Sequence, residues 1–388
     1  MTSAAADERM LREALRLAAR GEGRTHPNPS VGAVVYRGDR VLGRGTTRPP
    51  GGPHAEVVAI AAARRRHGER AVRGASIAVT LEPCSFEGRT GACTEAIVGA
   101  GLARVVAGCR DPHAKVSGRG FRFLRRKGLE IVSGLLESEC RERHRGFISV
   151  CERGRPWVTL KLATSLDGRI ALASGESRWI TSPEAREATH RLRAHQDAIL
   201  VGSETALADD PELTARRGGS LVHRPIRLLL DGRLRVPPTG RLFEPEGDTR
   251  TWVLCRERAR GIRRVAAHAE RVLALPSSGG GRVDLVAAFA RLADEGLTTV
   301  LVEGGGRLAA ALLRAELVDE VHWLLAPKLI GGDGRAGLGP LGLESLAQAV
   351  ELDTVRVHRR GPDLHVHGRI RHGADGSPRR AGGSRSSR

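Results

Sequence analysis

The chain has 388 residues, a formal net charge of +19 and 3% aromatic residues. Its length predicts two domains. Its charge would favour nucleic acid or other anionic ligands, but only four of the 63 basic residues are lysines and the arginines are scattered. That pattern is typical of an arginine-rich composition bias, and a nucleic-acid surface would need more aromatic side chains for stacking.

Three further classes of protein are disfavoured. The six cysteines are irregularly spaced and predict no disulfide framework. Residues 1–17 carry three acidic side chains and no apolar core, which excludes a signal peptide there. No apolar run approaches the ~20 residues of a membrane span. We therefore expect a cytoplasmic protein with neither a membrane nor a nucleic-acid partner.

The first 150 residues alternate helices and strands. Apolar spacing and turn signals predict, in chain order, a helix around 10–18, strands 31–36 and 40–46, a helix from 54 to about 66, strand 76–81, a helix over 93–99, strand 104–109, a helix near 119–127, strand 129–133 and one helix over 135–151. This order predicts a mostly parallel sheet with helices on both faces.

The rest of the chain alternates in the same way. The predicted elements are strand 157–164, a turn at 165–168, helix 183–195, strand 198–204, an acidic turn at 208–211, strands 225–231, 251–255 and 271–275, a flexible loop at 277–281, helix 284–295, strand 298–303, helix 307–316, strand 320–326 and a hairpin over 351–370. Residues 372–388 are rich in Gly, Ser and Arg without periodicity, which predicts disorder.

One constellation of four residues carries the chemistry. Taken singly, His54 and Glu56 are ordinary at a helix start, and Cys84 and Cys93 could be buried thiols. Together they follow the order H-x-E … P-C … C that zinc deaminases use, although the loop between the cysteines is longer than in that signature. One imidazole and two thiolates leave the fourth corner of a tetrahedral Zn²⁺ open for water. Glu56 would then move the protons. The other four cysteines have no partner pattern and are predicted to be inert: Cys109, Cys140, Cys151 and Cys255.

Glycines follow the apolar strand that ends at Glu303. Gly304, Gly305 and Gly306 precede a helix whose free N–H groups suit a pyrophosphate, although a simple tight connection explains the same pattern equally well. The turns at 161–168 and 208–211 lie on the edge where α/β sheets bind ligands. The residues alone do not name the ligand of either turn, and the aspartates at 209–210 are equally typical of turn caps.

Two motif sets, in the right order, resemble a bifunctional family of riboflavin biosynthesis. The chain is similar to its deaminase half in H-P-N-P-x-V-G at 26–32, H-A-E at 54–56, L-E-P-C-S at 81–85, G-R-T at 88–90, Cys93, D-P at 111–112, K-V at 115–116 and G-R-G at 118–120. It resembles the reductase half in K-L at 161–162, S-L-D-G at 165–168, S-G-E-S at 174–177, W-I-T-S at 179–182 and L-A-D-D-P at 207–211. The resemblance covers about residues 8 to 370.

This resemblance implies a fold and two consecutive reactions. The fold is α/β, with a cytidine-deaminase-like three-layer domain at residues 1–150, a dihydrofolate-reductase-like domain at 151–371 and a disordered basic tail at 372–388. The first reaction is the zinc-dependent hydrolytic deamination of 2,5-diamino-6-(5-phosphoribosylamino)pyrimidin-4-one. The second is the NADPH-dependent reduction of the ribosyl group of the product to ribityl. The partner is thus a phosphorylated pyrimidine, and the oligomeric state, a homo-oligomer included, stays open.

The same resemblance assigns site residues. Zinc would be held by His54, Cys84 and Cys93, with Glu56 as the catalytic proton shuttle. NADPH would be bound by Ala163, Trp179, Thr205, Asp209, Gly232, Gly305, Gly306 and Arg307. The substrate would be bound by Asn28, Ser177, Arg193, Leu213, Arg216 and Glu303. Both arginines suit its phosphate, because a guanidinium can grip phosphate oxygens in a bidentate fork.

The sequence departs from the family pattern at two places. Gly91-Ala92 replaces the usual Pro-Pro before the second zinc cysteine, and His113-Ala114 replaces Asn-Pro, which could shift a contact of Lys115. Neither change removes a catalytic group. Two alternatives stay open, a deaminase of nucleic-acid bases and a basic scaffold with structural zinc. The scaffold would favour four protein ligands for the metal, and three are evident.

Overall fold

The computed structural model describes residues 4–86, 91–114, 116–244 and 250–371. They divide into two compact units, one formed by the chain up to Trp157 with Ala290–Thr299, the other by Val158–Phe289 with the chain from Val300 onward. The motif residues Gly88, Arg89, Thr90 and Lys115, and the tail predicted to be disordered, lie outside the described residues. No helix in the described ranges has the length and apolar character that crossing a membrane requires.

The first unit is built on a five-stranded mixed sheet. Its strands are β1 (Gly32–Arg37), β2 (Arg40–Thr46), β3 (Ser76–Leu81), β4 (Arg104–Cys109) and β5 (Glu130–Ser133), in the order β2-β1-β3-β4-β5. Its helices are α1 (Ala4–Ala19), α2 (Ala55–His67), α3 (Glu69–Val72), α4 (Cys93–Gly99), α5 (Arg119–Arg126), α6 (Glu137–Arg143) and α7 (Arg145–Arg153). Strands β3, β4 and β5 run parallel, whereas β1 is antiparallel to both neighbours. The prediction of a mostly parallel sheet is therefore only half right.

Helices cover both faces of this sheet, as predicted. A Cβ on Gly32 would collide with the carbonyl oxygen of Ala14 in α1, and one on Gly45 with that of Ala55 in α2. Gly45 pairs with Ala33, the next residue after Gly32, and successive side chains of a strand point to opposite faces. The two glycines therefore admit the two helices on opposite sides, which gives the three layers.

One predicted helix is wrong. The segment 135–151 forms two helices, α6 and α7, which meet at His144 with φ −99° and ψ 14°. The His144 ring is buried, and its Nε2 lies 3.0 Å from the Oγ1 of Thr80 in β3. We attribute the break to this inward contact, because no local breaker residue separates the two helices.

The second unit contains a nine-stranded sheet. Its strands lie in the order β13-β12-β11-β8-β16-β6-β17-β20-β19. The strands of the unit are β6 (Trp157–Ser165), β7 (Arg169–Ala171), β8 (Ala198–Gly202), β9 (Ala215–Arg217), β10 (Ser220–His223), β11 (Ile226–Leu230), β12 (Thr251–Arg256), β13 (Arg271–Leu275), β14 (Ser277–Ser278), β15 (Arg282–Val283), β16 (Thr299–Val302), β17 (Glu320–Ala326), β18 (Arg335–Ala336), β19 (Leu352–Arg360) and β20 (Asp363–Ile370). The helices are α8 (Pro183–Arg193), α9 (Ser203–Asp209), α10 (Ile262–Ala266), α11 (Leu285–Asp294) and α12 (Gly306–Arg314). The residues of α11 from Ala290 onward belong to the first unit.

Three local predictions for this unit need correction. The strand predicted over 198–204 ends at Gly202, and the missed helix α9 begins at Ser203. Asp209 is the last residue of that helix and lies outside any turn, while Asp210 follows in the left-handed region with φ 40°. The loop predicted at 277–281 is a small hairpin, in which β14 pairs with β15. The terminal hairpin over 351–370 is confirmed by β19 and β20.

Candidate active site

The four predicted catalytic residues of the first unit come together. His54 is the N-cap of α2 and Cys93 is the first residue of α4, while Cys84 follows the end of β3. The His54 Nδ1 lies 3.2 Å from the Cys93 Sγ and 3.6 Å from the Cys84 Sγ. The three ligand atoms all lie within 4.8 Å of one another. One imidazole nitrogen and two sulfurs at this spacing fit a zinc ion with an open fourth position.

The electrostatics of this cluster also suit a metal. A hydrogen bond from the Cys93 thiol and a second contact with His54 hold the pKa of Cys84 well below its usual value. The Cys93 backbone N–H points at the Cys84 sulfur, 3.4 Å away. This lowered pKa favours the thiolate of Cys84, which is the form that binds metal. The other cysteines differ, because burial raises the pKa of Cys140 to about 12 and that of Cys151 to about 11.

Glu56 lies one residue inside α2 and is 4% exposed. Burial and the negative charge of Cys84 raise its pKa to about 7. A carboxyl group with a pKa near 7 can both accept and donate a proton at neutral pH. Its position beside the three ligands matches the role of a proton shuttle.

A cavity of about 330 Å³ opens beside this cluster. Asn28, predicted to bind the substrate, lines it together with His54, Glu56 and Cys84. The Asn28 backbone is fixed by a turn, in which its N–H donates to the Thr25 carbonyl oxygen at 2.9 Å. Asn28 and the candidate metal ligands therefore lie at the same small cavity.

The sequence reasoning gave no role to four acidic or aromatic residues that line this cavity. Glu82 is 3% exposed, and its carboxylate accepts hydrogen bonds from three backbone N–H groups, those of Asp111, Gly118 and Phe121, at 2.9–3.3 Å. Asp111 also lines the cavity, and burial raises its pKa to about 6. The rings of Phe86 and His113 stack with their centroids 6.4 Å apart. A carboxylate placed directly before Pro83-Cys84 was the available signal for Glu82.

In the second unit, residues predicted to bind NADPH gather at one edge of the sheet. Strands β11, β8 and β16 are parallel, so their carboxyl ends share an edge. Thr205, Gly232 and Gly305 follow the ends of β8, β11 and β16. A Cβ added to Gly305 would lie 3.8 Å from the Thr205 Oγ1 and would otherwise meet open space. This open cradle at the N-terminus of α12 fits a phosphate group.

The remaining predicted cofactor residues are placed around that edge. Arg307 forms an exposed ion pair with Glu204 at 2.8 Å. The exposed Trp179 ring has the Arg186 guanidinium 4.4 Å from its centroid. Arg178 donates to the Asp209 carbonyl oxygen at 2.8 Å. Two further members were predicted for this site: Ala163 lies in β6 and Gly306 is the first residue of α12.

Arg193 and Glu303 form a buried pair. The Arg193 Nε and Nη2 donate to the two carboxylate oxygens of Glu303 at 2.6 and 2.9 Å. Burial alone would raise the pKa of Glu303, but Arg193 and Lys161 hold it below its usual value. Burial lowers the pKa of Lys161. Lys161, given no role from the sequence, therefore belongs to this charged cluster.

The other predicted substrate residues lie in the segments around α8. Ser177 precedes α8, and its carbonyl oxygen accepts from the Ile180 N–H at 3.1 Å. Leu213 is buried with φ 53°. Arg216 lies in β9, where its guanidinium contacts Glu212 at 3.2 Å and the Gly219 carbonyl oxygen at 3.3 Å. Arg216 is more exposed and more loosely held than Arg193.

Comparisons with known proteins match both halves. The family model described as the cytidine and deoxycytidylate deaminase zinc-binding region matches residues 4–109, and the one described as the RibD C-terminal domain matches residues 156–366. The riboflavin biosynthesis protein RibD of Escherichia coli strain K12 is 41% identical over 372 residues, covering 93% of this chain and 98% of that protein. The protein of the same name from Aquifex aeolicus is 36% identical over 360 residues, covering 93% and 97%.

Solved structures agree with these sequences. Acinetobacter baumannii RibD, form 1, superposes with a TM-score of 0.84 and 34% identity, covering 95% of this chain and 99% of that one. A diaminohydroxyphosphoribosylaminopyrimidine deaminase/5-amino-6-(5-phosphoribosylamino)uracil reductase from Thermotoga maritima gives a TM-score of 0.81 at 34% identity, covering 94% and 99%. The similarity therefore spans both units of the chain.

Proposed function

Because this chain belongs to the RibD family of riboflavin biosynthesis proteins, we propose that it deaminates 2,5-diamino-6-(5-phosphoribosylamino)pyrimidin-4-one and then reduces the ribosyl group of the product, giving 5-amino-6-(5-phosphoribitylamino)uracil. The enzyme is a zinc-dependent hydrolase and an NADPH-dependent oxidoreductase on one chain. The observation that carries this proposal is the cluster of His54, Cys84 and Cys93, beside a cavity that Glu56 also lines.

In the deaminase half, we assign the metal to His54 Nδ1 and the two sulfurs. These three residues would hold a zinc ion, which would supply a water molecule of lowered pKa, toward about 7, as the nucleophile. Glu56 would take one proton from that water and pass it to the ring nitrogen. It would then take the remaining proton of the added hydroxyl group and pass it to the amine, which leaves as ammonia. Asn28 holds the pyrimidine, and the buried Glu82 fixes the loop of Asp111 against the cavity.

In the reductase half, a bound NADPH would supply the hydride that reduces the ribosyl group. We propose that Thr205, Gly232 and the Gly305 turn hold the cofactor at the carboxyl edge of the strands. Arg216 takes the substrate phosphate, because its guanidinium is partly exposed and held by long contacts. The Arg193–Glu303 pair would form a rigid polar surface against which the substrate binds, since two hydrogen bonds hold the two side chains together.

The domain boundaries and the cellular setting are part of the same proposal. We assign the deaminase domain to residues 1–150 and the reductase domain to 151–371, and we place the enzyme in the cytoplasm without a nucleic-acid partner. The scattered distribution of the arginines supports the absence of a nucleic-acid partner. Sedimentation of the purified chain would test the homo-oligomer that the sequence leaves open.

A stepwise assay tests the proposed function. The purified chain is given the diaminopyrimidine phosphoribosyl substrate, and ammonia release and NADPH oxidation are followed separately, with and without a zinc chelator. We expect ammonia first and NADPH oxidation second. With the diaminopyrimidine as the only substrate, the chelator should stop both signals, because the reduction needs the deaminated product. Adding the deaminated intermediate should restore NADPH oxidation in the presence of chelator. Ammonia release without any NADPH turnover would refute the reductase assignment, and the absence of both would refute the whole proposal.

A further inference from the structure

A row of four histidines crosses three neighbouring strands of the second unit. His322 lies in β17, His365 and His367 lie in β20, and His358 lies in β19. The register places His322 opposite His367 and His358 opposite His365. Because directly opposed residues point to the same face and residues two apart do so as well, all four imidazoles share one face. The sequence signal was the alternation His365-Val366-His367.

One carboxylate completes this row. Glu320 lies two residues before His322 in β17, and its Oε1 is 3.3 Å from the His322 Nε2. Three ligand atoms, one from each of Glu320, His322 and His367, lie within 4.8 Å of one another. The His358 Nε2 lies 3.3 Å from the His367 Nε2. Ligand atoms bound tetrahedrally at 2.0–2.1 Å are about 3.3 Å apart. We propose that Glu320, His322 and His367, with His358 within reach, form a second metal site.

The buried His365 orients this site. Its Nε2 lies 2.9 Å from the His322 Nδ1, and the residue is 5% exposed. When His322 Nδ1 donates to His365, the lone pair of the His322 ring stands on Nε2, the nitrogen that faces Glu320. A ligand histidine whose second nitrogen is held by a buried partner has a fixed tautomer and ring orientation. His365 is therefore a positioning residue of the site.

The donor set selects the class of metal. Two or three imidazoles with one carboxylate favour Zn²⁺, Ni²⁺ or Cu²⁺ over Ca²⁺ and Mg²⁺, which prefer oxygen ligands. In the strand register, Arg369 lies directly opposite Glu320, and Arg356 lies directly opposite His367. The positive charges of these two arginines would repel a bound cation. We therefore expect weaker binding than at the thiolate site around Cys84. A bound ion would tie β17 to β20.

The test compares zinc content after equilibrium dialysis of the full chain. Wild type should hold two Zn²⁺ per chain, His367→Gln should hold one, and the affinity for the weaker ion should fall at least tenfold. His268→Gln is the matched control, since His268 is exposed and outside the row, and it should retain two ions. A wild-type chain that binds one ion, or a His367→Gln chain that binds two, would overturn the proposal.

A spectroscopic measurement on the wild type keeps the test independent of any folding defect in the variant. The chain is titrated with Co²⁺, whose ligation by thiolate gives an intense sulfur-to-metal absorption that nitrogen and oxygen ligands do not give. The first equivalent should develop this band. The second should add only weak ligand-field bands, because its donors are imidazole and carboxylate. A second equivalent that adds the thiolate band, or adds no band, would contradict a nitrogen–oxygen site.

Discussion

Replacing Glu56 by glutamine tests the proton shuttle most directly. The substitution keeps the size of the side chain, which is 4% exposed beside Cys93, and removes only its ability to take and give a proton. The neutral amide is also less costly to bury than a carboxylate. We therefore expect a folded chain with zinc still bound.

The expected loss follows from the role. A positioned general acid–base group contributes typically ~10²–10⁴-fold to a rate. Each factor of ten corresponds to about 1.4 kcal/mol of activation free energy, so ammonia release should slow by an amount equal to about 3–5 kcal/mol. NADPH oxidation with the deaminated intermediate should be unchanged, because the predicted reductase residues all lie in the second unit.

The assay measures kcat for ammonia release, kcat for NADPH oxidation and zinc content on the same preparation. Glu95→Gln is a matched control, since Glu95 is an exposed glutamate in α4, two residues from Cys93. It should behave like wild type. An equal loss of both activities in Glu56→Gln would refute two independent sites, and unchanged ammonia release would refute the shuttle itself.

Three further predictions follow from the geometry. Asp209→Ala should slow only NADPH oxidation, and a variant with normal oxidation would contradict its placement at the cofactor. Glu82→Gln replaces one of the two carboxylate oxygens that accept from three backbone N–H groups by an NH2 donor. It should therefore raise the KM for deamination and lower the free energy of unfolding, measured by urea titration, by about 1–3 kcal/mol. An unchanged KM would count against its role. Burial lowers the pKa of His144 from 6.5 to about 4. Between these two pH values the unfolded chain therefore binds a proton at His144 that the folded chain does not bind. The free energy of unfolding should fall by about 3 kcal/mol as pH falls from 6.5 to 4. His144→Gln should flatten that part of the stability curve, and an unchanged slope would show that other groups set it.

The sequence alone predicted most of the first unit, because its signals are local. Strand 76–81 is apolar except for Ser76 and Thr80, and α4 begins at Cys93 as expected. The break at His144 was missed because it depends on a contact with Thr80, far away in the chain. The helix that begins at Ser203 was missed because the strand before it and the Asp-Pro after it masked its short pattern.

The zinc-binding residues were also predicted from the sequence, because four residues of that chemistry in that order are rarely accidental. The sequence could not say which nitrogen of His54 faces the sulfurs, since that depends on how α2 meets the loop after β3; the structure places Nδ1 there. The sequence also could not show that the Glu82 carboxylate accepts three backbone hydrogen bonds. Nor could it show that Arg193 and Glu303, which are distant in the chain, form an ion pair. Nor did single-strand patterns reveal the histidine row, whose members belong to three strands. Local spacing determined the elements and the donor types, whereas strand register and packing, which join residues distant in the chain, decided which side chains meet.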